Sequence, residues 1–169
     1  SDASIIALQG PNSMKNLSSL YDIKLEKFHL YQDEEVMIAR TGYTGELGVE
    51  IISDANKGLE IWNYFISKGI QPIGLAARDT LRLEAGFNLY GSDMTVENNP
   101  YDSNLEWTVD QSEQDRDYIG KKALKHLQDT KNRLVGFYTD ARGVLRSGTK
   151  VSFEGGEGVI TSGTWSPTF

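Results

Sequence analysis

Glu35-Val36-Met37-Ile38-Ala39-Arg40-Thr41-Gly42-Tyr43-Thr44-Gly45-Glu46-Leu47-Gly48-Val49-Glu50-Ile51-Ile52 reads as two strands around a turn. Glu35 to Arg40 has strand length and an apolar centre, Thr41 to Glu46 is turn-rich, and apolar residues resume at Leu47. Two such runs on either side of a glycine-rich connection predict a β-hairpin. Side chains alternate along a strand, so Leu47, Val49 and Ile51 share one face and Glu50 shares the other with Gly48 and Ile52. A small residue beside a carboxylate leaves room for a flat ligand, and a carboxylate accepts two hydrogen bonds from a donor edge. The same pattern also fits a solvated glutamate on a sheet with one wet face.

Working outward, Asp54 is a candidate N-cap for a helix over Ala55 to Lys68, with Leu59, Ile61, Trp62, Phe65 and Ile66 as its expected buried face. Gly69 stands where a helix-ending glycine belongs. Pro72 precedes a second expected helix over Ile73 to Ala85, closed by Gly86. Upstream, Asp33-Glu34-Glu35 is an acidic turn facing water. Downstream, Leu105 to Asp110 alternates like a strand, and a third helix is expected from Gly120 to Gln128. Leu134 to Tyr138, Lys150 to Phe153 and Gly158 to Ser162 are expected as short strands between glycine turns, with a boundary near Asn132.

Composition narrows the classes. The chain has 169 residues, 17 Lys+Arg against 24 Asp+Glu, and a net charge of −7. An acidic balance argues against a general nucleic-acid binder, which needs a basic footprint. With no Cys there is no disulfide framework, thiolate nucleophile or Cys-type zinc site. His29 and His126 have no partner at metal-ligand spacing. No stretch is long and apolar enough to cross a membrane, and Ser1 to Leu8 lacks the pattern of a secretory leader, so a cytoplasmic location is expected. Phosphate-loop, zinc-protease, nucleophile-elbow and dinucleotide motifs are all absent from the sequence.

Arg78 lies in Gly74-Leu75-Ala76-Ala77-Arg78-Asp79-Thr80-Leu81-Arg82-Leu83-Glu84-Ala85-Gly86. Its spacing to Arg82, and that of Asp79 to Arg82, suits a solvated charge ladder on a helix. A guanidinium at this place also suits a carbonyl or carboxylate held in a cleft. Tyr43, Phe87, Tyr90, Tyr101 and Trp107 are interleaved with these charges. Rings around one carboxylate and one guanidinium fit a flat heteroaromatic ligand, and they fit core packing equally.

Ala39-Arg40-Thr41-Gly42-Tyr43-Thr44-Gly45-Glu46-Leu47-Gly48-Val49-Glu50-Ile51 closely resembles the signature of the aminomethyltransferase family, the T-proteins of the glycine cleavage system. The resemblance continues through Gly74 to Gly86, Leu89-Tyr90-Gly91-Ser92-Asp93, Asn99-Pro100-Tyr101-Asp102, Leu105-Glu106-Trp107-Thr108-Val109, Asp117 to Leu124 and Gly158 to Pro167. Ordered blocks over nearly the whole chain are far more specific than any one of them.

The resemblance implies an α+β fold, an antiparallel sheet with packed helices forming a folate-binding region over 1–131. The beginning of a C-terminal β-barrel domain would follow over 132–169. It implies transfer of a one-carbon unit from an aminomethyl group on a lipoyl-bearing H-protein to tetrahydrofolate, with release of ammonia and no metal. Tyr43, Glu50 and Arg78 stand at folate-contacting positions, Glu50 toward the pterin edge. Phe87 falls where a relative carries a tyrosine, so only its ring is shared. The family's catalytic aspartate lies upstream of the segment matching Ile6 to Pro11, and a further cofactor-contacting arginine lies downstream, so this chain alone is expected to be inactive. Related folate-dependent demethylases and the folate domains of dimethylglycine or sarcosine oxidases share the fold and much of the motif set. A non-enzymatic folate-binding branch carries a Lys-Gly-Cys block near the place of Asp117-Tyr118-Ile119-Gly120-Lys121, which has no Cys here.

Overall fold

The structure is a computed structural model that describes residues 2–110, 112, 116–127 and 132–169. It divides into two units, Ser1–Ala85 and Gly86–Phe169. The first is α+β. Strands β1 (Ala3–Gln9), β2 (Leu30–Gln32), β3 (Val36–Ala39) and β4 (Gly48–Asp54) form an antiparallel sheet in the order β1-β4-β3-β2. The expected hairpin is the β3–β4 pair, joined by residues 40–47. Leu47 precedes β4 and is exposed, while Val49 and Ile51 are fully buried.

Helices α1 (Ser13–Ser18) and α2 (Ala55–Ser67) pack on one face of β1 and β4. Leu8, Leu17, Val36, Ile38, Val49, Ile51, Ile61 and Phe65 form the core there. Burying a Val or Ile side chain is worth about 1.5–3 kcal/mol. A one-residue slip of β4 would bring Glu50 into that core and expel Val49 and Ile51, so the pattern fixes the register.

Asp54 caps α2: its Oδ1 accepts from the amides of Asn56 at 2.8 Å and Lys57 at 3.0 Å. Lys68 follows as the C-cap, and Gly69 adopts a φ of +78°. The buried face agrees with the expected one at Ile61 and Phe65 and departs from it elsewhere. Gly58, Ile61 and Phe65 are buried, whereas Leu59, Trp62 and Ile66 remain 61%, 43% and 40% exposed. Successive residues are turned by about 100° in a helix, so the two stripes cannot both face the sheet. The choice is made at Gly58, where a Cβ would stand 1.9 Å from the Ser4 hydroxyl oxygen and 2.7 Å from the Ser4 Cβ. The backbone of α2 therefore lies directly on β1. Helix α3 (Leu75–Glu84) starts after Gly74 and leaves Leu75 exposed but buries Arg82.

The acidic turn between β2 and β3 is exposed, as expected, and it is also ordered. Asp33 Oδ1 accepts from the amides of Glu35 at 2.8 Å and Val36 at 2.9 Å, and Tyr31 donates its hydroxyl to Oδ2 at 3.0 Å. The backbone amides of Val36 and Glu35 hold the Asp33 carboxyl below its ordinary value of 3.8. Glu35 pairs with Lys57 at 2.6 Å, and that hydrogen bond raises the lysine.

The second unit is loop-rich. It contains a 3-10 turn (Glu106–Thr108), helix α4 (Lys121–His126) and an antiparallel hairpin of β5 (Lys150–Phe153) and β6 (Gly156–Val159). The strand expected over Leu105 to Asp110 is instead the 3-10 turn, because Thr108 and Val109 donate back to Leu105 and Glu106. Leu134 to Tyr138 forms no ladder: Leu134 bonds to the Asp102 carbonyl and the Asn104 side chain, both in a loop. Ile160 to Ser162 follows β6 outside the strand, with Ile160 buried and Thr161 donating to Asp93 at 2.5 Å. Gln128, the expected end of the third helix, and Lys131, the last residue before the expected boundary, lie outside the described residues.

Two stability measurements check this arrangement. Gly58→Ala should lower the thermal midpoint, although the same change in an open helix gains about 1 kcal/mol in propensity, and Ser4→Gly should recover part of the loss. Asp33 has a lowered folded value, so its contribution is complete above the ordinary carboxylate range and is lost as pH falls through the folded value. Denaturant titrations across that acid range should show a shallower pH slope for Asp33→Asn than for the parent.

Candidate functional site around Glu50 and Arg78

Strand β4 is paired on both sides, and Glu50 stands opposite Ala7 of β1 and Ala39 of β3. Paired residues share a face, so the carboxylate rises between two methyl groups on the side of the sheet away from the core. It is half-buried. Thr41 donates its hydroxyl to Glu50 Oε2 at 2.6 Å. Among the described residues this is the carboxylate's hydrogen bond, and Oε1 carries none. One carboxylate thus has a fixed orientation and an acceptor edge still to spend.

Two residues beyond Thr41, the Tyr43 ring lies beneath the Arg78 guanidinium, 4.5 Å from centroid to Cζ. That geometry is a cation–π contact. Arg78 is exposed and makes no ion pair among the described residues, so stacking on its face leaves the in-plane N–H donors available. Helix α3 reaches this loop at its other end as well: a Cβ on Gly45 would come within 2.8 Å of the Ala85 Cβ. Arg82, one turn beyond Arg78, is only 2% exposed and bridges Asp79 at 2.8 Å. The expected solvated ladder therefore divides. Arg82 is a buried structural cation, and Arg78 is the presented one.

The loop Thr41–Tyr43 joins the three expected positions Tyr43, Glu50 and Arg78 within the first unit. Phe87 belongs to the second unit and is 39% exposed, and Tyr90, Tyr101 and Trp107 belong there too. The space expected beside Gly48 for a ligand is taken by protein. A Cβ there would stand 2.5 Å from Gln9 Nε2. The room around Glu50 comes instead from Ala7 and Ala39, which strand pairing reveals and sequence spacing did not. Thr41 is a functional candidate that spacing misses, because a hydroxyl nine residues before the carboxylate carries no signal until the hairpin register is known. A groove of about 440 Å³, lined by Met14, Lys15, Asp22, Lys24, Leu25 and Arg40 among others, includes none of these positions. Among the described residues no group of His, Cys, Asp and Glu could hold a metal ion.

Residues 1–113 match the GCVT N-terminal domain. The chain belongs to the GCVT family. Aminomethyltransferases of Xanthomonas oryzae pv. oryzae and of Francisella tularensis subsp. tularensis are each 43% identical to it over 99% of its length. The chain spans about half the length of these curated relatives, 49% in both cases. The crystal structure of glycine cleavage system aminomethyltransferase T from Bartonella henselae superposes with a TM-score of 0.85 at 33% identity, over 98% of this chain and 48% of that one. The GCVT membership and this superposition bear out the resemblance read from the motif blocks, and the antiparallel sheet with packed helices accords with both. No helix among the described residues is long and apolar enough to cross a membrane.

An exposed cation–π pair is worth about 0.5–1 kcal/mol. A double-mutant cycle of Tyr43→Leu and Arg78→Met, read by chemical denaturation, should return a coupling energy of that size. Zero coupling would show that the ring and the guanidinium do not support one another.

Proposed function

We propose that this GCVT chain forms the folate-binding part of an aminomethyltransferase of the glycine cleavage system. The intact protein takes a one-carbon unit from an aminomethyl group on the lipoyl arm of H-protein, releases ammonia and leaves the carbon on tetrahydrofolate. Family membership and the names of the relatives support the reaction class. The observation that carries the site assignment is Glu50: a carboxylate anchored through one oxygen by Thr41, open at the other, and flanked by Ala7 and Ala39.

A pterin presents a planar edge of N–H donors, which a carboxylate matches with parallel charge-assisted hydrogen bonds. Two methyl neighbours leave space for such a ring to approach. Arg78, levelled on Tyr43, would hold an oxygen of the same cofactor with its remaining donors. Within this proposal Tyr43, Glu50 and Arg78 bind and orient the cofactor. Residues 1–131 constitute the folate-binding region, residues 132–169 begin a β-barrel domain, for which the β5–β6 hairpin is the support, and the protein works in the cytoplasm.

Isothermal titration of the intact protein should show tetrahydrofolate binding, and Glu50→Ala should weaken it roughly tenfold or more, the equivalent of ~1.5–3 kcal/mol for one charge-assisted hydrogen bond. Unchanged affinity in the variant would remove Glu50 from the site. Turnover of an aminomethylated lipoyl protein is the expected activity; turnover of free dimethylglycine in its place would assign the protein to the related demethylating enzymes.

A further inference from the structure

Gln9 ends β1 on the same sheet face as Glu50. Its amide is spent on the neighbouring loop. Nε2 donates to the Thr41 carbonyl at 3.2 Å and to the Val49 carbonyl at 3.1 Å, and Oε1 accepts from the Thr44 hydroxyl at 3.1 Å. Two carbonyl partners require donors, so the NH₂ side of the amide is fixed by its surroundings. The chain closes tightly around it. A Cβ at Gly42 would stand 2.0 Å from Gln9 Oε1, and one at Gly48 would stand 2.5 Å from Nε2.

Gly42 separates Thr41, the partner of Glu50, from Tyr43, the platform of Arg78. A clamp on both sides of Gly42 therefore controls both contacts at once. We propose that Gln9 is a positioning residue of the folate site: its amide holds residues 41–44 so that the Thr41 hydroxyl meets Glu50 and the Tyr43 ring lies under Arg78. This rests on the reading of Glu50 and Arg78 as cofactor contacts. Gln9 acts through the loop: among the described residues its amide bonds to Thr41, Val49 and Thr44 and to neither charged group.

The intact protein, Gln9→Ala, Glu50→Ala and the double variant are titrated with tetrahydrofolate, and thermal midpoints are recorded alongside. Gln9→Ala should raise Kd by about fivefold, the scale of one or two neutral hydrogen bonds. In the Glu50→Ala background the same change should add less, because part of its effect runs through that carboxylate. Equal Kd values for the parent and Gln9→Ala, or fully additive losses in the double variant, would overturn the proposal. Gln9→Asn, one methylene shorter, replaces the alanine variant if the latter does not fold. Should the parent itself not bind tetrahydrofolate, the cofactor reading fails separately. Amide hydrogen exchange over residues 41–48 then decides the clamp. Faster exchange confined to that loop in Gln9→Ala supports it, and unchanged exchange overturns it.

Discussion

The central strand β4 cannot shift by one residue. It is hydrogen-bonded to β1 on one side and to β3 on the other, and Val49 and Ile51 are fully buried beneath α1 and α2. Every outward feature of the first unit inherits its position from that constraint. Glu50 faces away from the helices because its neighbours face toward them. The alternation that builds the core also supplies the platform for a charged group, with no separate device needed to expose it.

A second level of control lies in the connection between β3 and β4. Hairpin connections longer than a tight turn have many conformations, and a side chain carried on one is only as fixed as the loop. Besides the Gln9 amide, the loop is held from three further directions. Thr41 bonds to the strand that follows it, Tyr43 supports a helix residue, and Gly45 lies against the end of the α3 segment. Hydroxyl, ring and glycine each perform one of these tasks, which accounts for the unusual composition of Thr41-Gly42-Tyr43-Thr44-Gly45.

Much of this was legible in the sequence. The alternation of Val49, Glu50 and Ile51 gave the strand and its two faces, and Asp54 and Gly69 gave the limits of α2. The failures have physical causes. A scan for apolar periodicity counts Leu59, Trp62 and Ile66 toward a buried stripe and gives no weight to Gly58, yet close approach of backbones selects the stripe that contains the glycine. Arg82 was read as solvated because local spacing is blind to tertiary burial. Leu134 to Tyr138 has strand composition, but a strand exists only with a partner, and its bonds go to a loop. By composition Gly48 offers space for a ligand. Only the register Gln9 to Gly48 reveals that an amide fills it.

Gln9, Gly42 and Gly48 come from three places in the chain and occupy one volume. A side chain enters at 42 only after the amide has been shortened, one at 48 would still meet the Leu8 carbonyl oxygen at 2.5 Å, and shortening the amide first forfeits the bonds to Thr41, Val49 and Thr44. Neither order of change avoids a weakened intermediate. The trio is therefore one packing unit, and a change of volume at any member is felt at the other two.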